Sequence, residues 1–416
     1  MTLKFLFIVD SFPPLNNQSS LRALEISKRL SKESKRPLIL TRRVQKRQPK
    51  DYSLLKLIPK EIEIYKTPII ELKKRYSLKT LFFKIMAKIL NIYYFIHWIP
   101  FGYFTGKKLL KIKKDIKFIY STGPIFYSHI IAYLLKKKFN IPLIIEYRDP
   151  WNFSPYGTSS KINFLNNLIY SKIEKRTINS ADIIITVSDP LILFLKRVFP
   201  HIKDKPIYSI PNGLNLKPIS KPIKSNKEKI IFTFIGQLYG KRNIFPLLII
   251  LSILKNNDFF KERKFLLKIY GNYDKNLIKK KLKEFQIQDY VFLGEFLTRE
   301  RIFEEINKCN LALHIGENLN YPTIGFKVWD YLSARKKILY LGREDSYTAN
   351  FIKKNNFGCT IPINNMQKGI EIFKNLVIEI EKNKFDTIID EKFLKKFSWD
   401  NKAKKFMEII KNNNLI

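Results

Sequence analysis

The chain has 416 residues, with 77 Lys+Arg against 36 Asp+Glu, four histidines and two cysteines. Hydrophobic residues at 45% and aromatics at 14% exclude a wholly disordered chain, and the length accommodates two or three domains of roughly 150 residues. Cys309 and Cys359 stand in no CxxC or Cys/His spacing, which excludes a disulfide scaffold and a zinc finger and fits a reducing compartment. The formal charge of +41 calls for a polyanion: nucleic acid, anionic lipid or a phosphorylated substrate. Part of it is compositional, because Lys outnumbers Arg while Ile, Asn, Phe and Tyr are heavy and Gly and Ala scarce, the joint bias of AT-rich coding sequence. No base-reading module is evident, so nucleic acid is the weakest of the three partners.

The apolar run Lys4–Val9 is too short for a signal segment and reads as a buried first strand over 4–9. The loop Asp10–Ser20 follows, with no GxGxxG fingerprint, and Ser19 or Ser20 is placed to cap a helix that carries Arg22. A second strand is expected at 37–41. The span 81–101, LFFKIMAKILNIYYFIHWIPF, is interrupted by Lys84 and Lys88, so it is no membrane span. Its basic, aromatic character suits the surface of a bilayer, and equally a helix packed on the core with its lysines in water.

Strands at 117–121 and 142–146 each end in a polar cluster: Tyr120-Ser-Thr-Gly-Pro124 with His129 a few residues on, and Glu146-Tyr-Arg-Asp-Pro-Trp151. At the carboxyl ends of parallel strands, Asp149 or Glu146 can orient an acceptor hydroxyl, Arg148 can hold an anion and His129 can relay a proton. The structural alternatives are a buried, hydrogen-bonded histidine and an Arg148–Asp149 ion pair. Further strands fall at 183–187 and 206–209, before the Lys- and Pro-rich stretch Asn215–Lys229, which has linker composition.

In the second half, strands are expected at 230–235, 265–270, 290–293, 311–315, 337–341 and 358–361, with helices at 274–285, 298–307 and 325–334. Beyond Gly236 a small-residue turn carries Lys241 and Arg242, two cations within reach of phosphate oxygens. Gly325 opens the helix Phe326-Lys-Val-Trp-Asp330, leaving its first backbone N–H groups free to cradle a phosphate. Lys327 and Asp330 stand at i and i+3, where the carboxylate can accept both hydroxyls of a ribose; the alternative is a surface ion pair. The tail 391–412 reads as one helix. This alternation is α/β: two doubly wound halves, with a ligand crevice expected between them.

Taken together, FLFIVDSFPP, HWIP, STGP, YRDPW, ADIIITVS, IPNGLN, FTFIGQLYG, GFKVWDYLSARKKIL and FSWDNKA, in that order, resemble the retaining GT-B glycosyltransferases of group 1. The likeness is to the RDPW-containing members that build bacterial surface polysaccharides and glycolipids. The resemblance implies two Rossmann-like domains facing across a cleft: an acceptor domain at 1–214, a nucleotide-sugar domain at 215–390 and a terminal helix at 391–416 that returns to the first. It implies sugar transfer from a nucleotide-sugar co-substrate to a glycan or lipid-linked acceptor, in the cytoplasm, with the inner face of the membrane as a further partner. No other cofactor is implied and no metal, and the sequence contains no Asp-x-Asp. Lys241 and Arg242 are expected to hold the departing diphosphate, aided by the backbone of Gly325 and Phe326, with Asp330 on the ribose. A nucleotide-sugar epimerase on the same fold, or a non-catalytic relative that binds membranes or polyanions, are the other readings. The chain departs from the family at Asn16-Asn17, in place of a glycine pair, and at Gln237, in place of Arg. The Glu-x7-Glu element stands as Pro322 and Asp330.

Overall fold

The computed structural model describes residues 3–32, 35–45, 48, 50–69, 98–124, 126–151, 164–215, 229–238, 242–316, 322–386 and 388–415. It divides into two compact units, Met1–Asn212 with Trp399–Ile416, and Gly213–Ser398. The first unit runs β1 (Leu3–Val9), α1 (Gln18–Lys32), β2 (Lys35–Arg42), β3 (Glu63–Thr67), α2 (Ile99–Ile112), β4 (Ile116–Thr122), α3 (Tyr127–Phe139), β5 (Leu143–Tyr147), α4 (Phe164–Ser180), β6 (Ile183–Thr186), α5 (Asp189–Val198) and β7 (Ile207–Ser209). Its seven strands lie in the order β3-β2-β1-β4-β5-β6-β7, every neighbouring pair parallel. Helices cover both faces of such a sheet, which is why Phe5–Ile8 and Leu143–Tyr147 are buried without alternation. On α2, Gly102 and Gly106 face α3, where a Cβ would fall 2.4 Å from Ile131 Cδ1 and 2.6 Å from Leu135 Cδ1, respectively. Small residues at i and i+4 let the two helices meet backbone to side chain.

The second unit runs β8 (Ile230–Gln237), α6 (Phe245–Asn256), β9 (Phe265–Asn272), α7 (Lys275–Glu284), β10 (Val291–Leu293), α8 (Arg299–Lys308), β11 (Leu311–Ile315), α9 (Phe326–Ser333), β12 (Ile338–Gly342), α10 (Tyr347–Lys354), β13 (Gly358–Pro362), α11 (Met366–Glu381) and α12 (Glu391–Leu394). Its parallel order, β10-β9-β8-β11-β12-β13, is the doubly wound 3-2-1-4-5-6 arrangement. Each sheet reverses strand order once, between β1 and β4 and between β8 and β11. Ligands of doubly wound sheets sit beyond the carboxyl ends of the strands at such a reversal. The final helix α13 (Trp399–Asn412) belongs to the first unit, where Trp399, Phe406 and Ile410 are buried and Phe406 packs 4.9 Å from the Tyr120 ring.

Several expectations need correction. The 391–412 pattern is not one helix: it breaks at Ser398, which is extended (φ −62°, ψ 151°) and bridges to Leu214. The cap of α1 is Asn17, whose Oδ1 accepts the Ser20 N–H at 2.9 Å, while Ser19 and Ser20 already lie within the helix. Strand β3 was not expected; only Thr67 of its five residues is buried, and a short charged edge strand carries little periodicity. Residues 81–97 of the basic aromatic segment, 216–228 of the proposed linker, and Lys241 lie outside the described residues. Among the described residues no helix is long and apolar enough to cross a membrane.

Candidate active site

The first unit gathers charged groups at the carboxyl ends of β1, β4 and β5. Arg22, on α1, makes a bidentate pair with Glu146: Nε donates to Oε2 at 3.0 Å and Nη2 to Oε1 at 2.5 Å. The same guanidinium donates to Asn212 Oδ1 and to the Ile210 carbonyl, both at 2.9 Å, and lies 5.5 Å from the Trp399 ring. Thr122 Oγ1 donates to Glu146 Oε2 at 2.6 Å. Burial pushes the Glu146 carboxyl up, but Arg22 and the Thr122 hydrogen bond outweigh it, so it stays ionised below its ordinary range. Both its oxygens are thereby committed, and Glu146 is not available to orient an acceptor hydroxyl. Asp10 is likewise committed, to Arg42, through contacts of 2.7 and 3.0 Å.

Arg148 donates through Nε to the Gly123 carbonyl and through Nη2 to Ser19 Oγ at 2.5 Å; burial lowers it to about 10. Its hydrogen bonds therefore join the strand-end loop to α1, while Asp149 beside it stays half-buried. His129 has no exposed surface. Its Nδ1 shares a proton with Ser121 Oγ at 2.8 Å, and its ring stacks near Tyr147 and lies tilted beside Trp151. Its Nε2 is buried without a hydrogen-bond partner, and a Cβ on Gly123 would approach that atom at 3.0 Å. Burial is the main cause of its fall to about 3, which keeps the imidazole neutral.

In the second unit the site forms around the β8/β11 reversal. The ladder between these strands runs only from Leu311↔Phe232 to Leu313↔Phe234. Beyond it the Tyr331 hydroxyl enters from α9, accepting the Ile235 N–H at 3.2 Å and donating to the Leu313 carbonyl at 2.9 Å. The strand ends part there, with the Tyr331 hydroxyl of α9 bonded to both. Glycines stand nearby. Gly236 pairs with Gly271, whose φ of +125° and whose missing Cβ, 1.9 Å from the Gly236 carbonyl oxygen, admit no side chain. Gly325 is the cap residue of α9, and a Cβ there would fall 2.9 Å from His314 Cε1 and 3.1 Å from Nε2.

Asp330 is buried on α9, and its two oxygens are held by Arg299 Nη2 at 2.6 Å and Lys327 Nζ at 3.3 Å. Burial would raise Asp330, but Arg299 and then Lys327 overcome it and keep the carboxylate ionised. Lys327, 28% exposed, is lowered chiefly by burial, against the pull of Asp330. The Arg299 guanidinium lies 4.8 Å from the Phe303 ring and 5.9 Å from Phe326. Arg242 comes close enough to His314 to lower it electrostatically. The structure thus brings Gly236, Arg242, Gly325, Phe326, Lys327 and Asp330 to one strand-end region of the second unit, while His129 and Asp149 belong to the first. Sequence reasoning missed Arg299 and His314. Arg299 lies 31 residues before Asp330 on another helix, and His314 reads as one residue of a buried strand; only the folded sheet aligns them. Among the described residues no three His, Cys, Asp or Glu side chains group as metal ligands would.

No family model and no curated protein matches the sequence. Solved structures match over nearly the whole chain. Sucrose-phosphate synthase from Thermosynechococcus elongatus aligns with 99% of this chain and 98% of its own, at 13% identity and a TM-score of 0.69. HepE of Anabaena, solved in complex with UDP, covers 99% of this chain and 100% of its own at 12% identity and a TM-score of 0.65. A glycosyltransferase from Rickettsia africae covers 99% and 98% at 16% identity and a TM-score of 0.62. What this chain shares with them is the GT-B fold, two Rossmann-like α/β units in one polypeptide.

Proposed function

We propose that the chain is a glycosyltransferase that moves a sugar from a nucleotide-sugar donor to a glycan or lipid-linked acceptor. In this reading it serves bacterial surface polysaccharide or glycolipid synthesis at the cytoplasmic face of the membrane, without a metal and with retention at the anomeric carbon. The observation that carries the reading is the strand-end region of the second unit, where a glycine-capped helix, a buried carboxylate and three cations lie together beside the sheet reversal. This is where a doubly wound unit takes a nucleotide. HepE, which shares the fold, was solved with UDP.

The free N–H groups behind Gly325 and at Phe326 would receive a phosphate, and Asp330 would accept the ribose hydroxyls as Arg299 and Lys327 turn toward the diphosphate. The anomeric C–O bond to the diphosphate breaks as the acceptor oxygen bonds to the same carbon from the same face. The acceptor proton passes to the departing phosphate oxygen. Arg242 and Lys241 hold the charge that builds on that leaving group; a charge-assisted contact there is worth several kcal/mol in the transition state. Asp149, half-buried at the end of β5, orients the acceptor hydroxyl. His129, enclosed and neutral, serves by bracing the Gly123 loop to which Arg148 is bonded.

The test is turnover with a panel of nucleotide sugars, read as released nucleoside diphosphate in the presence of membrane extract as acceptor source. Arg242→Ala with Lys241→Ala is expected to lower kcat by a hundredfold or more at unchanged unfolding temperature. Full activity in that variant would remove both cations from the assignment. Release of an epimerised free sugar without acceptor would replace transfer by epimerisation.

A further inference from the structure

His314 is a polar side chain with no structural duty that accounts for it. It sits on β11, the central strand beside the reversal, and only 8% of it is exposed. Its ring stacks near that of Tyr340, 5.8 Å between centroids. Neither of its nitrogens makes a hydrogen bond among the described residues. A histidine kept only for packing normally satisfies its ring nitrogens, and those of His314, though the residue is largely buried, are not among the sealed-off unpartnered atoms. The imidazole edge instead points to the glycine that caps α9, with Nε2 3.1 Å from where a Cβ on Gly325 would stand.

We propose that His314 is a ligand-binding residue of the donor site, donating a hydrogen bond to the diphosphate of a nucleoside diphosphate sugar held at the start of α9. The proposal rests on the donor-site reading above and adds a residue to it. Three features converge on one place. The first N–H groups of α9 have no intrahelical partner and favour an anion. The absence of a side chain at Gly325 clears the path between those groups and the imidazole. Arg242 supplies positive charge from the turn after β8. Burial, and then Arg242, keep the imidazole neutral, lowering it to about 3, so His314 itself adds no further buried charge beside Arg242. A neutral imidazole still has one N–H to give.

The experiment measures binding of UDP, GDP, dTDP, CDP and ADP, and of the corresponding nucleosides, to the full chain and to His314→Phe and His314→Gln. The chain has four histidines, so imidazole nitrogen spectra of the unmodified protein, with His314 assigned by its loss in the Gln variant, give an independent readout. The expected result is a loss of roughly ten- to a hundredfold in diphosphate affinity for the Phe variant. The Gln variant should restore most of it, nucleoside binding should not change, and the His314 resonances should move when the diphosphate is added. Equal diphosphate affinity in the folded Phe variant, or an equal loss of nucleoside and diphosphate, would overturn the proposal and leave the donor site standing. Should the Phe variant not fold, His314 resonances that stay still in the saturated wild type overturn it alone. Binding of none of the five diphosphates by the wild type would remove the donor-site reading and this proposal together.

Discussion

The Arg22–Glu146 pair shows how much a single contact organises. One guanidinium, 1% exposed, reaches β5, the segment after β7 and the first residue of the final helix. Such a pair gains little over an apolar replacement, because desolvating two ions offsets their attraction, yet leaving one ion alone is costly. Arg22→Met should therefore destabilise the chain by about 3–5 kcal/mol, and Arg22→Met with Glu146→Met by clearly less, as read from urea unfolding. Equal losses in the single and double variants would mean that packing of Arg22 on Trp399, and not the stranded carboxylate, sets the cost. At the same scale the sequence was only partly legible. Lys327 and Asp330 are neighbours by helical spacing alone, and their contact at 3.3 Å follows from i, i+3 geometry. Arg299, the closer partner of Asp330 at 2.6 Å, is set by the packing of a different helix, and no local pattern announces it. Glu146 looked free for chemistry because its partner, Arg22, is 124 residues distant in the chain.

At the scale of elements, hydrophobic patterning placed twelve of the thirteen strands among the described residues to within two residues, because parallel strands covered on both faces are continuous apolar runs between polar strand ends. The patterning failed where burial is not the organising force: at the edge strand β3, and at Ser398, where the chain breaks a helical stripe to pair with Leu214. The structure adds what periodicity cannot show, that a side chain of α9 joins the two strand ends where they part. Tyr331 takes over backbone groups of Ile235 and Leu313 where β8 and β11 separate. Tyr331→Phe leaves both groups buried without that partner and should cost about 1–3 kcal/mol in denaturant unfolding. It should also weaken the proposed nucleotide binding, since α9 loses its anchor to the strand ends. A variant as stable as wild type would show that the two strands close on each other without the hydroxyl.

At the scale of the molecule, two doubly wound units with parallel orders 3-2-1-4-5-6-7 and 3-2-1-4-5-6 give two strand-end regions of different character. In the first, the strongest charges neutralise one another inside the unit: Arg22 with Glu146, and Arg42 with Asp10. In the second, among the described residues, Lys327, Arg299 and Arg242 outnumber Asp330, with glycines beside them. An excess of positive charge around a glycine-capped helix start suits a phosphorylated ligand, and this asymmetry is why the proposed nucleotide site lies in the second unit. The central claim is most directly tested by thermal unfolding of the full chain with UDP, GDP, dTDP, CDP and ADP in EDTA, beside Asp330→Asn. One base class should stabilise the wild type, by roughly 2.7 kcal/mol at a hundred times its Kd, and should stabilise Asp330→Asn much less. Stabilisation by none of the five, or equal stabilisation of the Asp330 variant, would contradict a nucleotide site at α9.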